Sequence, residues 1–486
     1  MKKKLFVFLI PIVLITISLL PRKENKELVS NTDNLVSFTV DGVESKTMPT
    51  KGSGYIANKI TCKNGSIITF DNDNYIIEVE KLESADACKI DFSKEKGSNT
   101  VTVTISNTNK IDSTSKTTTE GGKVVFYLTG EPESITGGEY TLSSNKLIVN
   151  NIISNINLNI TMSKTLYDQL LIDNSTIKTR TDFDTTFTET NTGTLYKATE
   201  SIAGNTPKDV YYFAGDAKNN WVKFGGFYWR IIRTNYDGSI RLLYSGTSPD
   251  TTEGYIGKSA FNSTFNDPMY VGYMYGTSGS LDSNRTNTNN STIKTYIDNW
   301  YNNNLSSYSK YISTEAVYCN DRNLASGQTY STTSNFDYAS WERIGTNKQP
   351  TYNCTNIKDA FSGSNSEAKL TYPIGLMTAD EVAYAGGKAF TNLPSPYAWY
   401  YLNSAGGSIT GSTYWYSLSP IYWYGSFSWV WGVAGSDNTG YLGRNSVVGS
   451  LAVRPVISLK SCTLYSTGNG APETPYEIVL DPDISC

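Results

Sequence analysis

Aromatic side chains concentrate near the carboxyl end of this chain of 486 residues. Five of its nine Trp residues lie between positions 399 and 431, with many Tyr residues among them. Tyr and Trp provide a large contact area at a low entropic cost and carry a polar group at the tip of the side chain. That chemistry is non-covalent recognition. The candidate ligand-binding residues are Tyr422, Trp423, Tyr424, Trp429, Asp437, Asn438, Tyr441 and Arg444.

Core packing is the competing interpretation of this aromatic stretch. It suits residues such as Trp415 and Val430, which belong to predicted half-buried strands. Residues 422–424 are aromatic on both faces and follow Pro420, so we predict an exposed loop there rather than a strand. The strands predicted around this loop are 414–418, 428–433 and 452–459.

The residue types exclude most catalytic chemistry. The chain contains no His, which excludes Ser-His-Asp and Cys-His catalysis and every zinc site that needs imidazole. Its net charge of -4 gives no electrostatic footprint for nucleic acid. Asp380 and Glu381 are adjacent acids, but they open a predicted helix, where carboxylates stabilise the helix dipole. We therefore expect no enzymatic activity, no cofactor and no nucleic-acid partner.

The amino terminus has the pattern of an export signal. Lys2, Lys3 and Lys4 precede an apolar run over residues 5–20, and basic residues before such a run stay on the cytoplasmic side. No A-x-A-like cleavage site and no lipobox Cys follows the run. Residues 1–23 are therefore a signal peptide or a membrane anchor. Either interpretation places the following residues at the cell surface, membrane-anchored or secreted.

The six cysteines fall as three neighbouring pairs, which an oxidising exterior joins as disulfides. A zinc site is excluded because no C-x-x-C motif and no His occurs. We choose the sequential connectivity, since each pair then lies within one predicted domain; free thiols are the alternative. The predicted disulfides join Cys62 with Cys88, Cys319 with Cys354, and Cys462 with Cys486.

The residue composition and the strand patterns divide the chain into an all-β stalk and an aromatic-rich head. Asn64-Gly65 is a hairpin signal, and alternating, Thr-rich segments continue through the first third of the chain. These segments predict immunoglobulin-like or sandwich modules. The predicted boundaries are a small β module at 30–95, a β-sandwich-like module at 96–165, a Thr-rich linker at 166–195, the head at 196–460 and a disulfide-closed tail at 461–486.

The head combines strands with two helices and therefore predicts an α+β domain. A three-strand meander is predicted over 220–244. The second helix starts at Thr378, where Glu381 completes a capping box, and stops at a Gly pair. Segments 246–290 and 315–370 show little regular pattern, which is typical of functional or flexible loops. The first helix starts at Ser291, and its predicted apolar face consists of Ile293, Tyr296, Ile297 and Trp300.

Four motifs of the head resemble the C-type-lectin-like fold. They lie at residues 221–232 (WVKFGGFYWRII), 375–387 (GLMTADEVAYAGG), 414–420 (YWYSLSP) and 453–460 (VRPVISLK). Their order is similar to that of a domain in surface proteins of gut Firmicutes, in the branch of the fold that includes the formylglycine-generating enzymes. The resemblance covers about residues 196–460 and implies a lectin-like binding head carried on the β modules.

The chain departs from the enzymes and from the calcium-dependent lectins of that fold. The enzymes use a reactive Cys pair with copper, whereas Cys319 and Cys354 lie in loops that do not match. The Glu-Pro-Asn, Gln-Pro-Asp and Trp-Asn-Asp motifs of the lectins do not occur in the head. Asp437 and Asn438 alone offer too few oxygen ligands for calcium. The resemblance therefore implies binding without a metal.

Some relatives in this fold are diversified by retroelements in the segment before the last strand. That segment is 421–452 here, and its irregular mixture of Tyr, Trp, Ser, Gly, Asp, Asn and Arg is typical of a randomised ligand surface, although an ordinary polar loop looks similar. We therefore expect an adhesive cell-surface protein that binds an extracellular protein or glycan. The alternatives are a structural envelope protein without a ligand and an enzyme of the formylglycine-generating kind.

Overall fold

The computed structural model describes residues 35–105, 108–403 and 407–480. Strands account for 40% of the chain and helices for 14%, so the fold is mainly β. The described residues form two compact units, with the boundary between Thr161 and Met162. The predicted signal peptide or anchor at residues 1–23 lies outside the described residues. Within the described ranges, no helix combines the length and apolar character that a membrane crossing requires.

Short strands build the first unit. They are β1 (Leu35–Val40), β2 (Val43–Ser45), β3 (Tyr55–Cys62), β4 (Ile67–Asp71), β5 (Ile76–Lys81), β6 (Ala87–Lys94), β7 (Ser98–Ile105), β8 (Ser115–Thr119), β9 (Gly122–Tyr127), β10 (Pro132–Thr136), β11 (Thr141–Ser143), β12 (Lys146–Ile152) and β13 (Ile156–Met162).

The first part of this unit is a four-stranded sheet in the order β2-β1-β6-β3, accompanied by the hairpin of β4 and β5. Ile90 and Phe92 of β6 are buried in its core together with Ile68 of β4. Cys62 and Cys88 face each other across β3 and β6 and form a disulfide with their Cα atoms 4.0 Å apart. This confirms the predicted pair.

Two further sheets form the rest of the first unit, in the orders β10-β13-β7-β8 and β11-β12-β9. Alternate residues are buried on both of them, for example Val101 and Val103 on β7 and Leu147 and Val149 on β12. A sheet buries one face in this way when a second layer covers it. The pattern is therefore that of a two-layer sandwich.

The second unit combines the remaining strands with four α-helices within the described residues. The helices are α1 (Leu166–Asp173), α2 (Leu281–Asn284), α3 (Thr292–Asn304) and α4 (Ala379–Ala385). The strands are β14 (Thr176–Lys178), β15 (Thr190–Asn191), β16 (Thr194–Glu200), β17 (Lys208–Tyr212), β18 (Asp216–Ala217), β19 (Trp221–Phe224), β20 (Phe227–Thr234), β21 (Ile240–Tyr244), β22 (Lys258–Ser259), β23 (Met274–Tyr275), β24 (Asn289–Asn290), β25 (Tyr318–Cys319), β26 (Phe336–Asp337), β27 (Ala360–Phe361), β28 (Gly375–Leu376), β29 (Trp415–Tyr424), β30 (Phe427–Val433), β31 (Leu442–Ser446), β32 (Leu451–Ala452), β33 (Pro455–Leu459), β34 (Tyr465–Thr467) and β35 (Tyr476–Ile478).

Two sheets organise the second unit. The larger has ten strands and runs β14-β16-β17-β20-β19-β35-β34, with β21 pairing both β20 and β33, and β28 pairing β33. Its strands β19, β20 and β21 are antiparallel neighbours, which confirms the predicted meander. The smaller sheet has six strands in the order β22-β32-β29-β30-β31, with β26 added on β29. It carries the aromatic stretch of the sequence.

Both predicted helices are confirmed at their first turns. The Ser291 side chain accepts a hydrogen bond from the Lys294 N–H at the start of α3. The Thr378 side chain accepts one from the Glu381 N–H, and the Glu381 carboxylate accepts one from the Thr378 N–H, which is the predicted capping box of α4. These side chains satisfy N–H groups that have no partner within a helix.

The segment 166–195 is not a linker, contrary to the sequence-based expectation. Its helix α1 buries Leu166 and Leu170 in the main hydrophobic core of the unit. Arg180 donates a hydrogen bond of 2.6 Å to the Tyr384 carbonyl at the end of α4, where a cation also favours the helix dipole. Polar, Thr-rich composition indicated a linker, but these few apolar contacts and one guanidinium attach the segment firmly.

The carboxyl-terminal segment is also part of the sheet rather than a separate tail. Its strand β35 pairs in parallel with β19, and Tyr476 within it is fully buried. The predicted pair of Cys462 with Cys486 includes a residue outside the described ranges. The predicted pair of Cys319 with Cys354 is confirmed as a disulfide with a Cα separation of 5.8 Å.

Candidate ligand-binding face

One face of the smaller sheet collects aromatic side chains from neighbouring strands. Tyr422 of β29 pairs with Trp429 of β30, which pairs with Ser446 of β31. Asp337 of β26 extends this row, because it pairs with Tyr422 on the other side. Paired residues point to the same face of a sheet, and so do residues two apart along a strand. The register therefore also places on this face Tyr424, Phe427, Trp431 and Arg444.

The end of the face at the β29–β30 turn is exposed to solvent. Tyr424 is 57% exposed and Phe427 is 38% exposed. The Trp429 ring lies between the others, with its centroid 6.1 Å from that of Tyr422 and 6.3 Å from that of Phe427. Phe265 stacks on Phe427 with the centroids 4.3 Å apart and the planes 8° from parallel. Contiguous exposed aromatic surface of this kind is typical of interaction sites.

Two aromatic residues from other segments continue the face past the buried Trp431. The ring centroids of Trp341 and Phe390 lie 6.0 Å and 5.6 Å from that of Trp431. Phe390 also contacts Tyr441 at 5.8 Å, and Trp341 contacts Tyr422 at 6.4 Å. Ring contacts therefore run from the β29–β30 turn to Tyr441. We call this surface the aromatic face and define it as Tyr422, Tyr424, Phe427, Trp429, Trp341, Phe390 and Tyr441 with Arg444.

The backbone is unusual at both residues that cover Trp431. Trp341 begins a π-helix, Trp341–Asn347. Phe390 has a φ angle of 54°, in the left-handed region that a bulky side chain rarely adopts. Such conformations cost about 1–3 kcal/mol each and cluster at functional sites, as π-helical turns also do. The strain is consistent with a surface shaped for recognition.

Arg444 supplies the positive charge of the aromatic face. Its Cζ atom lies 5.4 Å from the Trp429 ring centroid, and its Nη1 donates a hydrogen bond of 2.8 Å to the Tyr422 hydroxyl. Its side chain is otherwise exposed. The cation therefore rests on one ring and is held by the hydroxyl of another, while the rest of the guanidinium stays free to contact a ligand.

Asp337 supplies a negative charge beside the same rings. Its side chain is half-buried, and within the described ranges it has neither a hydrogen bond nor an ion pair to a side chain. Burial raises the pKa of its carboxyl above the ordinary value of 3.8. A partly desolvated carboxylate without a partner favours a donor or cation brought by a ligand. Sequence reasoning did not select Asp337, because β26 is only two residues long and shows no pattern.

Trp423 does not belong to the binding face, contrary to the prediction from the sequence. It is 1% exposed and pairs with Phe336 and Ser428 on the opposite, inward face of the sheet. The prediction that the aromatic run 422–424 is an exposed loop is wrong, because β29 continues through Pro420 to Tyr424. Alternation along the strand then points Tyr422 and Tyr424 outward and Trp423 into the core. Tyr422 itself is only 8% exposed, and its hydroxyl accepts the hydrogen bond from Arg444.

Asp437 and Asn438 lie at the other end of β30 from Tyr424. They occupy the exposed turn Ser436–Asn438, where the Asn438 Nδ2 donates a hydrogen bond of 2.6 Å to the Tyr414 hydroxyl. The length of β30 separates them from Phe427 by about 20 Å, at roughly 3.3 Å per residue. The structure therefore brings Tyr422, Tyr424, Trp429 and Arg444 together, connects Tyr441 to them through Phe390, and does not bring Asp437 and Asn438 to the same place.

Sequence reasoning missed Phe427, Trp341 and Phe390. A period of two along residues 427–431 would have found Phe427, since it shares a face with Trp429. Trp341 and Phe390 are distant in the sequence and reach the sheet from irregular segments, so no local pattern marks them. Their contribution follows only from tertiary packing.

Glu381 does more than cap a helix. Glu381 Oε1 lies 2.9 Å from Arg233 Nε and 2.8 Å from Arg241 Nε, and all three side chains are buried. Glu200 pairs with Arg233 at 2.9 Å. Burial alone raises the pKa of Glu381, but Arg241 and Arg233 outweigh it and hold the pKa below its ordinary value. The cluster balances two carboxylates against two guanidiniums and fixes α4 to β20 and β21.

Comparison of the chain with protein-family models, with curated proteins and with solved structures finds no match.

Proposed function

We propose that this chain is a cell-surface binding protein that recognises an extracellular ligand through the aromatic face. The observation that carries the proposal is the pair of exposed rings Tyr424 and Phe427 beside the half-buried Trp429, on which Arg444 rests. These residue types dominate the energetic centres of protein interfaces. Trp423 and Val430 fill the core on the opposite face of the sheet.

The composition of the face favours a protein ligand over a glycan. Rings of this face lie on the paired strands β29 and β30, and Tyr, Trp, Phe and Arg are enriched at protein–protein interfaces. Its charges are mixed, with Arg444 on one side of Tyr422 and Asp337 on the other. Such a pattern selects a partner with complementary charges in a fixed register. A glycan ligand is the alternative outcome of the test below.

The amino-terminal segment and the β modules would present the aromatic face at the cell surface. The Lys-flanked apolar run in residues 2–20 would export the chain, as a signal peptide or an anchor. The β modules of the first unit would serve as a stalk. Resemblance to the C-type-lectin-like fold supports the idea of a binding head, and a structural envelope role remains the competing proposal.

Diversification of the segment 421–452 is a further part of this proposal. If retroelement copies of this segment exist, their changes should fall at outward-facing positions such as Tyr424, Phe427 and Arg444. The inward-facing Trp423 and Val430 should stay constant, because they fill the core. Sequencing of the genomic neighbourhood tests this: no template copy, or changes spread equally over both faces, would reject diversification.

A binding screen with matched variants tests the proposed function. The full chain is probed against extracellular proteins and a glycan array, and hits are repeated with the double variant Tyr424→Ala/Phe427→Ala. Tyr140→Ala is the control, because Tyr140 is 41% exposed on the first unit. We expect a ligand whose binding the double variant loses and the control keeps. A screen with no hit that depends on Tyr424 and Phe427 contradicts the proposal.

A further inference from the structure

A cavity beside the turn between β20 and β21 combines apolar side chains with charges of both signs. Its volume is about 470 Å³, within the range of small-molecule sites, which is roughly 300–1,000 Å³. It shares no lining residue with the aromatic face. The apolar residues that line it are Ile202, Ala316, Val317, Ile357 and Ala360.

Two carboxylates that line the cavity are linked through Ser313. The Ser313 hydroxyl donates a hydrogen bond of 2.7 Å to Asp237 Oδ2 and accepts one of 3.1 Å from the Glu315 N–H. Asp237 also accepts hydrogen bonds from Ser239. The exposed Glu315 carboxylate accepts one long bond, 3.3 Å, from the adjacent Thr314 hydroxyl. Among the described residues no cation forms an ion pair with either carboxylate, so this part of the cavity keeps its negative charge.

Lys208 brings the opposite charge to the same cavity. Its Nζ lies 4.2 Å from the ring centroid of Tyr236, which also lines the cavity. Lys208 is exposed, and within the described ranges its ammonium group has no ion pair. Glu200 is a lining residue too, but it is buried and already paired with Arg233 at 2.9 Å. A cation that rests on an aromatic ring stays available to an anionic group of a ligand.

Hydrogen bonds fix the apolar walls of the cavity. The Asn365 Nδ2 donates bonds of 2.7 Å to the carbonyls of both Ile357 and Ala360. Arg241 Nη1 donates one of 2.7 Å to the Val317 carbonyl. The Ile357 side chain remains 41% exposed, so a ligand that covers it removes apolar surface from water. Walls that are ordered before binding reduce the entropic cost of taking up a ligand.

From this lining we infer that the cavity is a second binding site, for a free α-amino acid with an apolar side chain. Lys208 would bind the ligand carboxylate, Glu315 with Asp237 would bind its ammonium group, and Ile357 with the other apolar residues would cover its side chain. A ligand with only one charge would leave a charge of the cavity without a partner, which favours a zwitterion. The inference does not rest on the aromatic face or on its ligand.

Ligand-observed NMR titration of the full chain tests the site. The probes are leucine, isoleucine, methionine and phenylalanine, each compared with its amide, which lacks the carboxylate, and with its N-acetyl derivative, which lacks the ammonium group. We expect at least one of these amino acids to bind. Both of its derivatives should bind about tenfold or more weakly, which is about 1.4 kcal/mol.

Variants that remove one charge assign each end of the ligand separately. Lys208→Met should weaken binding of the amino acid about tenfold and leave the affinity for its amide unchanged, because the amide has no carboxylate. Glu315→Gln should weaken the amino acid likewise and leave the affinity for the N-acetyl derivative unchanged. Both residues are exposed, so neither variant should impair folding. Glu253→Gln is the control, because Glu253 is an exposed carboxylate that does not line the cavity.

The outcomes separate this site from the aromatic face. Binding of no apolar amino acid, equal affinity for the amino acid and its two derivatives, or affinities that Lys208→Met and Glu315→Gln leave unchanged would overturn the inference. Loss of amino-acid binding in Tyr424→Ala would also overturn it, because the ligand would then belong to the aromatic face. The screen of the aromatic face probes proteins and glycans, so its failure has no effect on this readout.

Discussion

Arg444 lies over the indole ring of Trp429, with its Cζ atom 5.4 Å from the ring centroid. The two residues sit on adjacent strands, β31 and β30, and the register of the sheet brings them to the same face. An exposed cation on a Trp ring is stabilised by about 0.5–1 kcal/mol. This modest energy orients the guanidinium without burying it, which suits a contact that a ligand completes.

Arg444 should therefore matter more for binding than for folding. We expect Arg444→Ala to weaken ligand binding by about 2 kcal/mol, as for a central interface residue, while the free energy of unfolding falls by about 1 kcal/mol or less. Arg444→Lys should recover the charge but not the hydrogen bond to Tyr422, and so only part of the affinity. Calorimetric titration and thermal unfolding measure both. An equal loss of stability and affinity would contradict the assignment.

Asp337 should make ligand binding depend on pH. Burial raises the pKa of its carboxyl, so the charged form that a ligand cation needs is lost as the pH falls toward and through this raised value. The same shift means that folding favours the protonated form, and ionised Asp337 costs stability above the raised pKa. We expect Asp337→Asn to weaken binding at pH 7, remove its acid dependence and leave stability unchanged or slightly higher. Lower stability of Asp337→Asn at pH 7 would refute this role.

Trp423 and Tyr424 are neighbours in sequence with opposite expected behaviour. Trp423 is 1% exposed and Tyr424 is 57% exposed. We expect Trp423→Ala to cost about 3–5 kcal/mol of unfolding free energy, and Tyr424→Ala to change it by about 0.5 kcal/mol or less. Chemical denaturation of the two variants measures this. Similar stabilities for both would mean that β29 does not continue past Pro420.

The second helix and the loop near Pro420 show what a sequence can and cannot predict. Thr378 and Glu381 mark a helix start by a local capping rule, and that prediction is confirmed. Pro420 indicated the end of a strand because proline cannot donate to the ladder. In the structure the pairing of β29 and β30 shifts register around Pro420, and the strand passes through. Such an irregularity depends on the partner strand, so no local sequence pattern could predict that Trp423 is buried.

Long-range packing limits the prediction of the candidate site in the same way. Tyr422, Tyr424, Trp429 and Arg444 were identified by composition, and strand pairing brings them together. Phe390 lies in a segment without a pattern and reaches the face only through its contact with Trp431. The sequence signal thus found the strands of the face and missed the segments that cover it.

The buried ion pairs of Glu381 and Glu200 with Arg233 and Arg241 should dominate the loss of stability of the second unit at low pH. Glu381→Gln leaves two buried guanidiniums with one carboxylate fewer, and we expect it to cost about 3–5 kcal/mol. Because the pKa of Glu381 is held below its ordinary value of 4.5, its contribution is complete above that pH and is lost as the pH falls through the lowered value.

Glu477→Gln is the control for this variant, because Glu477 and Lys223 form an exposed pair at 3.9 Å and such pairs contribute about 0–1 kcal/mol. Unfolding curves between about pH 7 and pH 3 compare the two. A Glu381→Gln protein as stable as the control would show that the cluster does not hold α4.

Oxidative footprinting with and without the identified ligand tests the aromatic face most directly. Hydroxyl radicals modify exposed aromatic side chains, and mass spectrometry reads each position separately. We predict that the bound ligand protects Tyr424, Phe427 and Trp429, while Tyr127 and Tyr140, which are 46% and 41% exposed on the first unit, react as before. Unchanged modification of Tyr424, Phe427 and Trp429 at saturating ligand would contradict the proposal that this face binds it.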